Sequence, residues 1–266
     1  MKITLIGGGN MGEAVLAAII EQRITLSSKI TVCDTFEERL SYLSDEYGVA
    51  TTTDCVQAAK DADAVILAVK PQNFNELATI ISDRLAPSQL VISIIVGKSL
   101  KTLRANLKHD TIIRSMPNTP AQIGRGITVW TAVDTVSEEQ KTLAASIFRA
   151  MGSEIYTKDE RQLDMATAIS GSGPAYFFYF TEALTEAALE LGFNAETAKR
   201  LALETALGAV EYAARSDKEL LELRKMVTSP GGTTAAAIKT LDDAAFKETV
   251  SRAVKAAYKR AIELGD

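Results

Sequence analysis

The 266-residue sequence predicts an α/β fold in two parts, a mostly parallel sheet domain over residues 1–157 and an all-helical domain over residues 158–266. Three observations predict it. Before "GSEIYTKDE", short β-branched runs alternate with amphipathic segments, the pattern of βαβ units. The runs "VILAV" and "VISIIV" are apolar on successive residues rather than alternate ones, as strands covered on both faces should be. After "GSEIYTKDE" such runs vanish, and apolar residues recur at helical spacing.

The first run, "KITLIG", leads into Ile6, Gly7, Gly8, Gly9, Asn10, Met11 and Gly12, and "EAVLAAIIEQ" follows as a helix. Gly7, Gly9 and Gly12 form G-x-G-x-x-G between strand and helix, the context of a Rossmann-type dinucleotide-binding turn. Gly7 permits the turn, Gly9 admits a pyrophosphate to the backbone, and Gly12 lets helix and strand approach. The helix N-terminus offers N–H groups to phosphate. The second run, "KITVCD", ends at Asp34, where a carboxylate accepts hydrogen bonds from the adenosine ribose and repels a 2′-phosphate. NADPH or NADH is expected, and Asp34 leans toward NADH. The alternative is that Asp34 or Thr35 caps the next helix, with Glu38 completing a capping box on Thr35. Only Arg39 is placed nearby to take a 2′-phosphate.

"DAVILAVK" continues into Ala68, Val69, Lys70 and Pro71, at the strand edge where open α/β sheets bind ligands. "QLVISIIV" and "TIIRSMP" complete the runs. In "SMPNTPAQIG" two prolines stiffen a loop carrying Asn118 and Thr119, groups suited to nicotinamide or substrate.

In the helical part, Phe177, Phe180, Leu184, Ala187 and Leu191 share one helical spacing, and Phe246, Val250, Val254, Ala257 and Ala261 another. Its alanine-rich helices imply close helix-to-helix approach, within one subunit or between two. "SGSGPAYFFYF" puts Ser170, Ser172 and Pro174 at a helix start. "VTSPGGTTAAAIKTL" crowds Thr228, Ser229, Thr233 and Thr234 around Pro230, Gly231 and Gly232, more hydroxyls than one cap requires. That loop is either a carboxylate nest or a helix cap.

A net charge of −5 with scattered basic residues gives no stripe for nucleic acid or anionic membrane. No apolar stretch reaches the roughly 20 residues of a membrane helix. Cys33 and Cys55 lie in unrelated local contexts, so neither a disulfide nor a metal site is expected, and a soluble cytoplasmic protein is. His109, the single histidine, rules out a multi-histidine metal centre or His-based triad, and in "NLKHD" it reads as a solvated loop residue.

"GGGNMG", "AVKPQ", "MPNTP", "SGSGPAY" and above all "VTSPGGTT" together resemble the pyrroline-5-carboxylate reductase family over nearly the whole chain. The resemblance implies reduction of 1-pyrroline-5-carboxylate to L-proline, a nicotinamide cofactor in the first domain and an interlocked homodimer through the second, commonly built into larger rings. Carried over by motif, Val227, Thr228, Ser229, Gly231, Gly232 and Thr233 surround the substrate carboxylate, and Thr234 is the catalytic hydroxyl near the ring nitrogen. The sequence departs from the family pattern at Met226, where some members have Asn, at Cys55, near where many have Asn, and at Asp34 in a family that often prefers NADPH. A protonated cyclic imine accepts hydride without a strong general acid, which suits a chain with one histidine. Two rival readings are a β-hydroxyacid dehydrogenase, which needs a lysine that "GSGPAYFFYFTEA" lacks, and a nucleotide-sensing regulator that has lost turnover.

Overall fold

The computed structural model describes residues 1–265. In chain order the first elements are β1 (Ile3–Ile6), α1 (Asn10–Glu21), β2 (Ile30–Cys33), α2 (Glu37–Tyr47), β3 (Ala50–Thr52), α3 (Cys55–Lys60), β4 (Ala64–Leu67) and α4 (Phe74–Ile81). They continue with β5 (Leu90–Ser93), α5 (Leu100–Leu107), β6 (Ile112–Met116), β7 (Gly126–Ala132), α6 (Glu138–Ala150), β8 (Gly152–Tyr156) and α7 (Arg161–Ala166). The remainder is helical: α8 (Gly173–Glu190), α9 (Ala195–Arg215), α10 (Leu220–Met226), α11 (Thr233–Asp243) and α12 (Phe246–Glu263).

The strands form one eight-stranded sheet in the order β3-β2-β1-β4-β5-β6-β7-β8. Every pairing is parallel except β6 with β7. Successive residues of each strand feed opposite faces. In β4, Ala64 and Ile66 join a cluster with Val15, Ile19 and Phe148, while Val65 and Leu67 join one with Phe74, Ile81 and Leu103. Continuous apolar runs are therefore required wherever helices cover both faces.

Two compact units emerge. One comprises residues 1–172 and the chain from Ala257 onward, the other Gly173–Ala256. The division differs from the expected one at 157/158 because α7 is tied to the sheet. Arg114 on β6, with its side chain 5% exposed, donates to Glu160 Oε1 at 2.9 Å and to Asp164 Oδ1. Glu160 Oε1 also accepts the Leu100 N–H of α5 at 2.7 Å. In the second unit α8 packs on α9, and the rings of Phe180 and Phe246 lie 6.3 Å apart. No helix among the described residues is long and apolar enough to cross a membrane.

Two expectations are corrected. Cys33 and Cys55 form a disulfide, with Cα atoms 5.5 Å apart. The end of β2 and the start of α3 are neighbours in space, which their sequence surroundings do not reveal, and the pairing removes the argument from cysteine for a cytoplasmic location. His109 is buried, with Nε2 2.7 Å from the Gln89 carbonyl. The polar residues around it turn outward while the imidazole packs beneath the start of β5.

Candidate active site

The strand order reverses direction between β1 and β4, the switch point at which open parallel sheets leave a crevice beyond the strand ends. The turn after β1 supplies the glycines. Gly7 has φ +106°, and a Cβ there would lie 2.6 Å from the Ala68 carbonyl oxygen, so neither backbone nor space accepts a side chain. A Cβ on Gly12 would lie 2.1 Å from the Gly7 oxygen, which fixes how closely α1 approaches the turn. Gly9 is different. A Cβ there would meet nothing within 4 Å, and Gly9 is the N-cap of α1 without any side-chain cap. The first N–H groups of α1 therefore face open space across a residue with no side chain, a fit for a pyrophosphate.

A cavity of about 550 Å³ adjoins this turn. Gly9, Asn10 and Met11 line it with Ala68, Val69, Lys70 and Pro71 after β4, as do Met116 at the end of β6 and Pro117, Asn118 and Thr119 after it. The turn after β1 and the loops after β4 and β6 thus converge on one cavity. Ile6 and Gly8 sit buried behind them. Asn118 lines the cavity but spends its amide internally: Nδ2 donates to the Ser170 carbonyl at 3.1 Å, and Oδ1 accepts the Ile127 N–H at 2.9 Å. Lys70 is exposed at the cavity rim. Ile94, Val96 and Gly171 also line the cavity and were not expected there. The signal for the first two was available, since "VISIIV" runs on past the end of β5.

Asp34 lies just beyond β2. Its Oδ2 accepts the Gly8 N–H at 2.7 Å and its Oδ1 the Phe36 N–H at 3.2 Å. Helix α2 begins at Glu37, and its N-cap Phe36 has no side-chain cap, so the capping box on Thr35 does not form and Thr35 is exposed. Arg39 and Glu13 form an ion pair beside Gly8. Tyr42 and Tyr47 donate to Glu13 Oε1 at 3.0 and 2.9 Å. Burial pushes the Glu13 carboxyl up, but these hydrogen bonds and that from Arg39 outweigh it and leave the pKa below its usual value. Burial, then the bond to Glu13, raises the Tyr47 phenol. Sequence reading missed this cluster because Glu13 lies 26 to 34 residues from its partners.

In the second unit the turn between α10 and α11 carries the other constellation. Gly231 adopts φ +72°, which turns the chain, and the Gly232 N–H bonds the Ser229 carbonyl at 3.0 Å. Gly232 is the N-cap of α11 and provides no side-chain cap. The hydroxyls of Ser229, Thr233 and Thr234 make no hydrogen bond among the described residues, so the helix-cap alternative for this loop is not what forms. Thr228 differs, because its hydroxyl donates to the Arg224 carbonyl at 2.6 Å. Val227 is exposed and Thr234 half-buried. The result is a bare helix N-terminus with hydroxyls around it, suited to an anionic group. Ser170 does not begin a helix as expected. It lies within a π-helical turn, Thr167–Gly171, and its hydroxyl returns to the Ala166 carbonyl at 2.9 Å.

Comparison with known proteins adds to this geometry. A family model described as pyrroline-5-carboxylate reductase dimerisation matches residues 160–264, and one described as NADP oxidoreductase, coenzyme F420-dependent, matches residues 2–97. A pyrroline-5-carboxylate reductase of Pseudomonas aeruginosa is 38% identical over 100% of this chain and 97% of its own. The solved structure of the Coxiella burnetii pyrroline-5-carboxylate reductase superposes with a TM-score of 0.91 at 40% identity, covering 100% of this chain and 98% of the other. The Plasmodium falciparum pyrroline carboxylate reductase, solved with NADP bound, also gives 0.91, at 30% identity and the same coverage. On full-length similarity at this level, with both constellations in place, the chain belongs to the pyrroline-5-carboxylate reductase family.

Proposed function

We propose that this protein reduces 1-pyrroline-5-carboxylate to L-proline, with the cofactor in the cavity at the β1–β4 switch point and the substrate carboxylate on the turn before α11. The observation that carries this reading is the bare N-terminus of α11, where the N–H groups and the unspent hydroxyls of Ser229, Thr233 and Thr234 have no partner among the described residues. A planar carboxylate satisfies several such donors at once.

The bound nicotinamide supplies the hydride that reduces the imine carbon, and the ring nitrogen keeps the proton it took from water. The work of the chain is therefore placement. Val227, Thr228, Gly231 and Gly232 shape the turn, Ser229 and Thr233 hold the carboxylate, and the Thr234 hydroxyl steadies the ring nitrogen. No basic or acidic side chain has to move a proton, consistent with a chain whose one histidine is buried away from the crevice residues.

In the first unit, Gly7–Gly12 and the start of α1 hold the pyrophosphate, Ala68–Pro71 follow the backbone, and Asp34 accepts from the adenosine ribose. Asp34 favours NADH over NADPH, because a 2′-phosphate would stand against its carboxylate. A homodimer through the helical unit, assembled into larger rings, completes the reading. Steady-state reduction of pyrroline-5-carboxylate with NADH and NADPH side by side tests it. Turnover with kcat/KM for NADH at least equal to that for NADPH is expected. Cofactor binding without turnover of any cyclic imine would instead indicate a nucleotide sensor.

A further inference from the structure

The cluster around Arg39 has no role in the reaction as described, yet it stands beside the group that reads the ribose. A Cβ on Gly8 would lie 3.4 Å from Asp34 Oδ2 and 3.6 Å from Arg39 Cγ, so the carboxylate and the arginine flank the same residue of the glycine turn. Arg39 would be the obvious partner for a 2′-phosphate, but two of its three nitrogens are already engaged along the turn. Nε bonds the Gly8 carbonyl and Nη2 bonds Glu13 Oε2. The guanidinium carbon lies 5.0 Å from the centre of the Tyr42 ring. Glu13 is itself held by the hydroxyls of Tyr42 and Tyr47. Arg39 and Glu13 are 27% and 22% exposed, dry enough for their pairing to outlast a surface ion pair. Exposed Glu37 and Glu38 open α2 and add negative charge to the same end.

We propose that Glu13 is a specificity-determining positioning residue: by holding Arg39 along the glycine turn it withholds the guanidinium from a 2′-phosphate, and so enforces selection of the cofactor without one. The inference rests on the reading of Asp34 as the ribose acceptor and extends it. Asp34 repels the 2′-phosphate, and Glu13 removes the cation that would otherwise compensate. Removing both restraints should then produce more than either alone, because only in the double variant does a released arginine meet an unopposed phosphate.

The test uses the full-length protein, with ADP and 2′,5′-ADP as probes by calorimetry and kcat/KM for NADH and NADPH in parallel. Asp34→Ser should raise the 2′,5′-ADP to ADP affinity ratio severalfold. Adding Glu13→Gln should raise it roughly tenfold further, through a new charge-assisted contact between the released guanidinium and the phosphate. Arg39→Ala should cancel that second gain. An unchanged ratio on adding Glu13→Gln to a folded Asp34→Ser protein overturns the inference. Should Glu13→Gln fail to fold, Arg39→Ala in the Asp34→Ser background still decides. A withheld arginine leaves 2′,5′-ADP affinity unchanged, whereas loss of affinity means Arg39 already serves the phosphate. Failure of the ribose reading is separate and shows in the parent alone, as a preference for NADPH.

Discussion

Residues 1–172 close two apolar clusters around the sheet, whereas from 173 to 256 the only buried residues are Gly173, Ala198 and Ala202. The exposed side chains of the second region include Phe177, Phe178, Tyr179 and Leu191, the last at 82%. A sheet with helices on both faces can satisfy itself within one chain. Long helices joined by short turns, with apolar residues on several faces, cannot, and the stable solution is a second copy. The dimerisation family model over residues 160–264 agrees with that requirement. One region is thus a fold in its own right and the other is half of one.

The sharpest way to break this contrast is to charge the exposed face. Phe178→Asp combined with Leu207→Asp should dissolve the homo-oligomer and abolish turnover, since buried apolar anchors of an interface are worth about 2 kcal/mol or more each. Light scattering and a steady-state assay would show it. A monomer with parental activity would mean that the helical region is self-sufficient after all.

Within the sheet region two glycines should part company. Gly9→Val, at a position with open space around it, should abolish nucleotide binding while melting temperature and oligomeric state stay near parental. Gly12→Val places a side chain against the Gly7 oxygen and should prevent folding. Thermal melts and nucleotide titration of both variants separate space kept for a ligand from space needed by the chain.

In the helical region, Thr234→Ala should lower kcat/KM by one to three powers of ten, roughly 1.4 to 4 kcal/mol of transition-state stabilisation, with nucleotide affinity little changed. Thr234→Ser should retain most activity. A loss of about 1 kcal/mol in stability with turnover intact would mean that Thr234 serves the fold and not the reaction.

The smallest effect concerns pH. The Glu13 carboxyl titrates below its usual value, so its contribution to stability is complete above the ordinary carboxylate pKa and fades as pH falls through the depressed one. The parent should therefore melt above Glu13→Gln at neutral pH, and the difference should close below about pH 4. A gap that is constant from pH 7 to pH 3 would exclude the carboxylate charge as its source.

What the sequence discloses follows the range of the forces involved. Periodicity and β-branched runs expose β1, β2, β4, β5 and β6, because those strands are covered on both faces. β7, "GITVWTA", and β8, "GSEIY", carry threonine, glycine and glutamate and read less plainly. The glycine turn is legible because its constraints lie within a few residues of one another, and the turn before α11 because it holds more hydroxyls than a cap uses. The Glu13–Arg39 pair and the anchorage of α7 by Arg114 depend on elements meeting across the fold, and no local pattern announces them. Asn118 shows the converse. Its chemistry and its place beside the cavity are legible, but not that its amide is spent on Ser170 and Ile127.

The bond between Cys33 and Cys55 closes a covalent ring across a separation of 22 residues, and that ring contains Asp34, Arg39, Tyr42 and Tyr47. In the unfolded chain it forbids the extended conformations of this segment, an entropic restriction of about 3 kcal/mol by polymer closure. Glu13 and the loops after β4 and β6 lie outside it. The part of the cleft proposed to read the ribose is therefore assembled from a chain already doubled back on itself. The part proposed to receive the nicotinamide bears the whole conformational cost of its own ordering.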